Sequence, residues 1–516
     1  MVISSIVSEN DGKISLESKE GSIIAGNTKT YSPYHILGSE IYLKALNGGI
    51  GTQDGALKFA NDGVYNVEAK NDIYLDSSAT MYVDNIQSNE GSLALNSAFG
   101  IIASARSDKN KNYNLFAAND LTLSSTAGNI ENIEVDANGI INASAGYKNG
   151  KIEGLNSINI HNVSDNDMKI GAIKASKNVT LTSNKGLQNA TDTSSISGEQ
   201  IAIKASGNIG SQTSSINLTT TKGVTILSKG ESDVYLKSED TQNGLKIDKI
   251  DTNNGEGSLG TVKIVSAGNL SNGSEKSEKT ETVNVNAKNI SLKVGEGKNI
   301  GSSERSFVVS TVSNKAGEGL EYKADQSFIK GVGDVLNISN GTSFGDAWVN
   351  AQNNIIANNL TSEMGSIYVS SNANITLNNI SVNEDLNIFG KDVTLDELAQ
   401  MSYQETAYAV MKQFLTDFTE EELKNCIDRA YDAKFDTEEI VPLAKVDDTY
   451  YLELFHGSTI AFKDMALSIL PHLMTTAARK NQITNEIVIL TSTSGDTGKA
   501  ALAGFADVEG THIMVF

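Results

Sequence analysis

Two segments near the C-terminal end carry residue types that can do covalent or ion-binding chemistry. The first is FHGSTIAFKD, Phe455–Asp464. It places Lys463 at the predicted start of a helix, beside Ile460, Ala461 and Phe462. An amine must lose its proton to attack a carbonyl, and both desolvation and the positive end of a helix dipole lower an amine's pKa. Lys463 is therefore a candidate Schiff-base lysine, set against the plainer reading of an exposed lysine near a helix start. The second segment is TSTSGDTGKAA, Thr491–Ala501. An apolar run enters Ser494-Gly495-Asp496-Thr497-Gly498, and a helix follows. Small residues let backbone amides gather around an anion, and a helix N-terminus adds a favourable field. This loop suits a carboxylate or a phosphate, with a plain tight turn as the alternative. Its GxxGK spacing is too short for the GxxxxGK[ST] phosphate loop.

The elements that must position these residues read as an alternation. Strand Tyr450–Phe455 is followed by a helix from Asp464 to about Arg479, strand Glu486–Thr493, a helix from about Thr497 to Ala506, and strand His512–Phe516. Strands separated by helices predict a parallel α/β sheet, with ligands at the carboxyl ends of its strands, where both segments lie. Upstream the pattern is helical. Three capping boxes pair Thr394 with Glu397, Ser402 with Glu405, and Thr419 with Glu422. Tyr403, Ala407, Val410, Met411 and Phe414 predict one apolar stripe, and Leu423, Ile427, Ala430 and Tyr431 a second. Cys426 lies on that second helix and reads as a small hydrophobe.

The two chemical segments in this order, with AYDAKFDTEEIVPL before them and GFADVEGTHIMVF after them, resemble threonine synthase. That family is pyridoxal 5'-phosphate (PLP) dependent and has the tryptophan-synthase β fold, fold type II. The resemblance covers nearly all of 394–516. It implies that Lys463 carries PLP as a Schiff base and moves substrate protons, with Asp496 close to the cofactor. Thr493, Ser494, Gly495 and Thr497 would receive the substrate carboxylate, and His456 and Thr459 would border the substrate. The implied reaction converts O-phospho-L-homoserine and water to L-threonine and phosphate. Ser458 departs from the proline usual in the family, which loosens that loop. The family's first portion does not precede Thr394 and its later phosphate loop does not follow, so the expectation is an incomplete, inactive PLP-dependent lyase fragment.

The first three quarters read differently. Short alternating runs recur, including LTLSS from Leu121, INIHN from Ile158, VTLTS from Val179, IAIKAS from Ile201 and VTILSK from Val224. Period-2 alternation predicts strands with one buried face. The last four start roughly 22 residues apart, a recurrence that predicts a stacked array. Gly and Asn punctuate the runs and tolerate the left-handed corners such coils need, and Asn can form side-chain ladders. The fold class expected is mostly β: a right-handed parallel β-helix over 1–393, then a partial α/β unit over 394–516. A β-sandwich array is the alternative. The texture of this region resembles filamentous haemagglutinin-like adhesins, which implies a secreted or surface rod with a host-surface ligand and no catalysis. His35, His161 and Trp348 are read as structural, with Trp348 weighed briefly as a carbohydrate platform.

A net charge of −22 with no basic run excludes nucleic acid as a partner, because phosphates repel an acidic surface. The single cysteine forbids an internal disulfide, and no metal site is expected. MVISSIVSEN has no basic n-region and no long apolar core, so no signal peptide is expected there, and no apolar run is long enough for a transmembrane helix. The pattern changes near Lys391–Leu395 with no linker, so the chain reads as chimera-like. The implied locations conflict: cytoplasmic for the second part, secreted or surface for the first.

Overall fold

The computed structural model describes residues 1–8, 12–27, 33–253, 258–274, 282–311, 318–390, 398–412, 414–415, 417–493 and 495–516. The chain divides into two compact units, Met1–Ile388 and Phe389–Phe516. The textural change at Lys391–Leu395 and the first capping box, Thr394 with Glu397, lie outside the described residues.

The first unit is a parallel β-solenoid. Among the described residues, 35 strands join in one hydrogen-bonded system. The spacing seen in the sequence is the pairing register itself. Ile158 lies opposite Val179, Val179 opposite Ile201, and Ile201 opposite Val224, all in parallel. Like residues therefore stack on like residues from coil to coil. Ile160, Leu181, Ile203 and Ile226 point inward two residues further on and are buried. The coils share one continuous core, which is why no single coil of this size needs to be stable alone.

Polar side chains close the corners. At three corners, Asp72, Asp120 and Asp346 each accept a backbone N–H from the next coil: Ser92 at 2.7 Å, Ile140 at 2.8 Å and Ser366 at 2.8 Å. The serine that ends many strand motifs is buried, and its hydroxyl donates to a corner carbonyl. Ser97 reaches Ala79 O at 2.7 Å, and Ser362 reaches Gly345 O at 2.7 Å. A small hydroxyl fits the corner and satisfies a carbonyl that would otherwise be orphaned there. The expected asparagine ladder is present: Asn378 donates to Asn358 at 2.9 Å, and Asn358 to Asn337 at 3.2 Å.

The second unit begins with two capped helices. Helix α1 is Tyr403–Met411 and α2 is Glu420–Ala430, and both keep complete capping boxes, Ser402/Glu405 and Thr419/Glu422. Leu423, Ile427, Ala430 and Tyr431 form their shared core with Tyr403, Ala407 and Met411. Val410 and Phe414 do not join that stripe. Both face solvent: Val410 lies at the edge of the Tyr403–Ala407–Met411 face, and α1 ends before Phe414.

Three further expectations are corrected. Strand Tyr450–Phe455 does not enter a parallel sheet: Thr449–Leu452 pairs antiparallel with Leu443–Val446 in a hairpin. The hairpin turn provides a partner locally, which alternation alone did not reveal. The helix from Asp464 to about Arg479 is two helices, α3 (Asp464–Leu467) and α4 (Leu470–Lys480). Pro471 has no N–H to offer and its ring crowds the carbonyl four residues back, so the helix restarts with proline in its first turn. The third concerns the setting of Lys463 and is taken up with the site. Strands Ile487–Thr491 and Thr511–Val515 do pair in parallel, linked by helix α5 (Asp496–Phe505).

Candidate functional site

Lys463 sits at the N-cap of α3 and is half-buried. Its ammonium lies 4.7 Å from the centroid of the Phe462 ring. The expected apolar enclosure is absent, since Ile460 and Phe462 are 73% and 61% exposed. Ile460 explains part of this. Its φ is 62°, a left-handed conformation that is strained for a β-branched residue. Its amide closes a turn onto Gly457 O at 3.0 Å, and that turn aims its side chain outward.

The turn is held from below by Asp464, which is 2% exposed. One carboxylate oxygen accepts the Thr459 amide at 2.7 Å and the other accepts the Thr459 hydroxyl at 2.6 Å. Gly457 packs so closely on Asp464 that a side chain there would overlap it. Asp464 was only the last letter of a motif in the sequence. Its spacing of five from Thr459, with glycine two residues before that, is the signal that marks the carboxylate as the loop's anchor.

The second segment meets the first through α5. Lys499 donates to Thr459 O at 3.4 Å, so the helix that starts at Asp496 is tied to the lysine-bearing loop. Gly504 permits the approach, because any side chain there would overlap the Leu467 carbonyl of α3. Gly498 does the same against Thr493. Thr493 is half-buried and its hydroxyl accepts the Gly495 amide at 3.4 Å, whereas Gly495, Asp496 and Thr497 are exposed at the helix N-terminus. Ser494 lies outside the described residues.

The remaining expected residues already have their polar atoms engaged. Thr459 gives its hydroxyl to Asp464. His456 contacts Asp436 through Nδ1 at 2.5 Å and Glu453 through Nε2 at 2.9 Å. Those carboxylates, Glu453 first and then Asp436, hold its pKa above the usual histidine value. An imidazolium so placed clamps two chain segments, one at Asp436 and one at 453–456. His472 was not singled out in the sequence. It is buried, neither ring nitrogen has a side-chain partner, and desolvation, with Arg429 and Lys434 nearby, pushes its pKa down to about 4. Cys426 behaves as expected, buried on α2 with its thiol 3.4 Å from the His472 carbonyl.

In the first unit the histidines are structural. His35 accepts the Lys58 amide at 3.0 Å and meets Gly26 O at 3.0 Å. His161 contacts Asn184 at 2.9 Å. Trp348 has no free face: Phe328 stacks on one side, with centroids 4.4 Å apart, and Tyr368 on the other at 5.2 Å. It is a rung of an aromatic ladder and not a platform. Among the described residues no helix is long and apolar enough to cross a membrane, and no cluster of His, Cys, Asp and Glu is arranged to hold a metal ion.

Comparison with known proteins finds similarity over about a quarter of the chain. The family described as threonine synthase N terminus matches residues 384–431, which begins before Thr394 and corrects the expectation that the family's first portion is missing. Threonine synthase of Methylobacillus glycogenes is 34% identical over 131 residues, covering 23% of this chain and 27% of that protein. That of Corynebacterium glutamicum is 38% identical over 120 residues, covering 23% and 24%. Among solved structures, PLP-bound threonine synthase from Brucella melitensis is 31% identical over 24% of this chain and 27% of that chain, with a TM-score of 0.22. The chain spans about a quarter of the length of the curated relatives it matches.

Proposed function

We propose that the second unit is a threonine-synthase-like module, of fold type II, whose Lys463 is the attachment point for PLP. The observation that carries this reading is the Lys499–Thr459 contact, which brings the lysine-bearing loop and the small-residue helix N-terminus together across 40 residues. The chemistry of the donor set fits: a half-buried amine for covalent attachment, beside a loop of hydroxyls and backbone N–H groups suited to an anion. Bound at Lys463, PLP would supply an electron sink for a carbanion at the substrate's α-carbon.

The chain's own residues would act around it. The Lys463 amine would hold the cofactor and would take and return substrate protons. Thr493, Ser494, Gly495 and Thr497 bind the carboxylate of O-phospho-L-homoserine, and Asp496 orients the cofactor. His456 and Thr459 border the substrate and hold the loop through Asp436, Glu453 and Asp464. The open setting of Lys463 leads us to expect no turnover to threonine by this chain alone, since water competes for every charge the site must hold.

The test is visible absorbance of the full chain mixed with PLP. A band at the long-wavelength edge of the PLP spectrum that Lys463→Ala removes supports the reading. The same band in wild type and Lys463→Ala would sink it. Threonine release from O-phospho-L-homoserine would show that the site closes by itself and would overturn the expectation of inactivity.

A second reading concerns the first unit. The stacked parallel coils favour a surface or secreted adhesion rod, because a solenoid presents one long side-chain lattice to a ligand. Retention of the full chain on glycan- or cell-coated surfaces tests it.

A further inference from the structure

We infer that the solenoid carries a carbohydrate-binding groove centred on Phe344, which would take a neutral hexose-type unit of an oligosaccharide. The inference rests on the adhesion reading for its biological sense only; its physical basis is the groove. The groove has a volume of about 550 Å³, within the range of small-ligand sites. Its lining includes Lys293, Lys323, Asp325, Thr342, Phe344 and Glu363.

Three features fit it to such a ligand. First, the ring is available. Phe344 is 54% exposed, and backbone hydrogen bonds fix its position on both sides: its amide reaches Ala324 O at 3.1 Å, and its carbonyl accepts Met364 N at 2.6 Å. Trp348, four residues on, is sandwiched between two rings and offers no face. An exposed aromatic ring held rigidly loses little entropy when an apolar ligand face covers it.

Second, the charges are unspent. Lys293 and Lys323 lie directly opposite each other in the pairing register, with Thr342 next in line. Like charges opposite one another destabilise a sheet unless something else satisfies them. Some other lysines of the solenoid do find carboxylate partners, as Lys44 does with Glu68 at 3.0 Å and Lys222 with Glu199 at 2.7 Å. Among the described residues, Lys293 and Lys323 make no ion pair, and neither do Asp325 or Glu363.

Third, the lining is mixed in sign. Two ammonium groups, three carboxylates (Glu296, Asp325 and Glu363) and a hydroxyl offer donors and acceptors together, beside an apolar ring. A sugar has the matching profile. Its hydroxyls donate to carboxylates and accept from ammonium groups, while its C–H face lies on an aromatic ring. A polyanion would meet the carboxylates of Asp325 and Glu363 and be repelled.

The test uses the full chain titrated in solution with cellobiose, lactose and N,N'-diacetylchitobiose, read by calorimetry and ligand-observed NMR. Saturable binding of at least one is expected, about tenfold weaker in Phe344→Ala and retained in Phe344→Trp. Circular dichroism should be unchanged in both, since the ring is exposed. Lys323→Gln should weaken binding less than the loss of the ring. No saturable binding to any of the three overturns the inference. So does binding confined to a sulfated polysaccharide and abolished by about 0.5 M salt, which is charge attraction only. Binding of wild type and Phe344→Ala with equal affinity overturns the groove while leaving the adhesion reading standing.

Discussion

The two units dispose of their apolar strand residues in opposite ways. In the solenoid, Ile158, Val179, Ile201 and Val224 are each at most 1% exposed, and each has a like residue on the coil above and below. In the second unit, strands Ile487–Thr491 and Thr511–Val515 half-bury one face and leave the other open. Val488, Leu490, Met514 and Phe516 are 55%, 65%, 55% and 74% exposed. The difference is one of where partners come from. A solenoid strand finds its partner one repeat away, so any stretch of repeats supplies its own core except at the ends. A strand in an α/β sheet depends on elements far off in sequence, and a two-stranded pair cannot cover both of its faces.

The largest test of that contrast is a cavity in the solenoid core. Ile201→Ala should cost about 2–5 kcal/mol, read as a lower denaturant midpoint for loss of strand signal. A cost below about 0.5 kcal/mol would mean the coils are not packed as one core. The matching test in the second unit is Gly504→Ala. The new methyl must push α5 off the Leu467 carbonyl, at about 1–3 kcal/mol. It should also weaken PLP uptake at Lys463, because the two motif segments separate. Uptake unchanged in Gly504→Ala would break the link between that packing and the site.

A smaller effect is expected from Thr419→Ala, which removes the hydroxyl half of a capping box for about 1 kcal/mol. It should lower the helical transition and leave the strand transition where it is. Equal shifts in both would argue that the units melt together.

The smallest effects are in pH. His456, with its folded pKa raised, contributes stability that is full below its ordinary value of 6.5 and lost as pH climbs through the raised one. His472, with its pKa lowered to about 4, does the reverse: its contribution is present above 6.5 and is lost as pH falls toward 4. Helical stability should therefore peak near neutrality. His456→Asn should flatten the alkaline limb and His472→Leu the acid limb. A profile unchanged by both substitutions would remove histidine from the account.

Much of this molecule was legible without coordinates. The 22-residue recurrence from Ile158 to Val224 is the coil register, and the capping boxes at Ser402 and Thr419 are the helix starts. Both signals are local or strictly periodic, so sequence alone determines them. The resemblance of 394–516 likewise rested on contiguous motifs. What only tertiary structure decided was non-local. Tyr450 and Tyr451 turned out to belong to a hairpin. Trp348 lost both faces to rings one coil away, whereas Phe344, no more conspicuous in the sequence, kept its ring open. Asp464 and Lys499 became the ties of the site through contacts 5 and 40 residues distant. Periodicity states which face of a strand is buried, but what lies over the other face depends on which segments meet. That is set by the packing free energy of the whole fold and by no stretch of the chain alone.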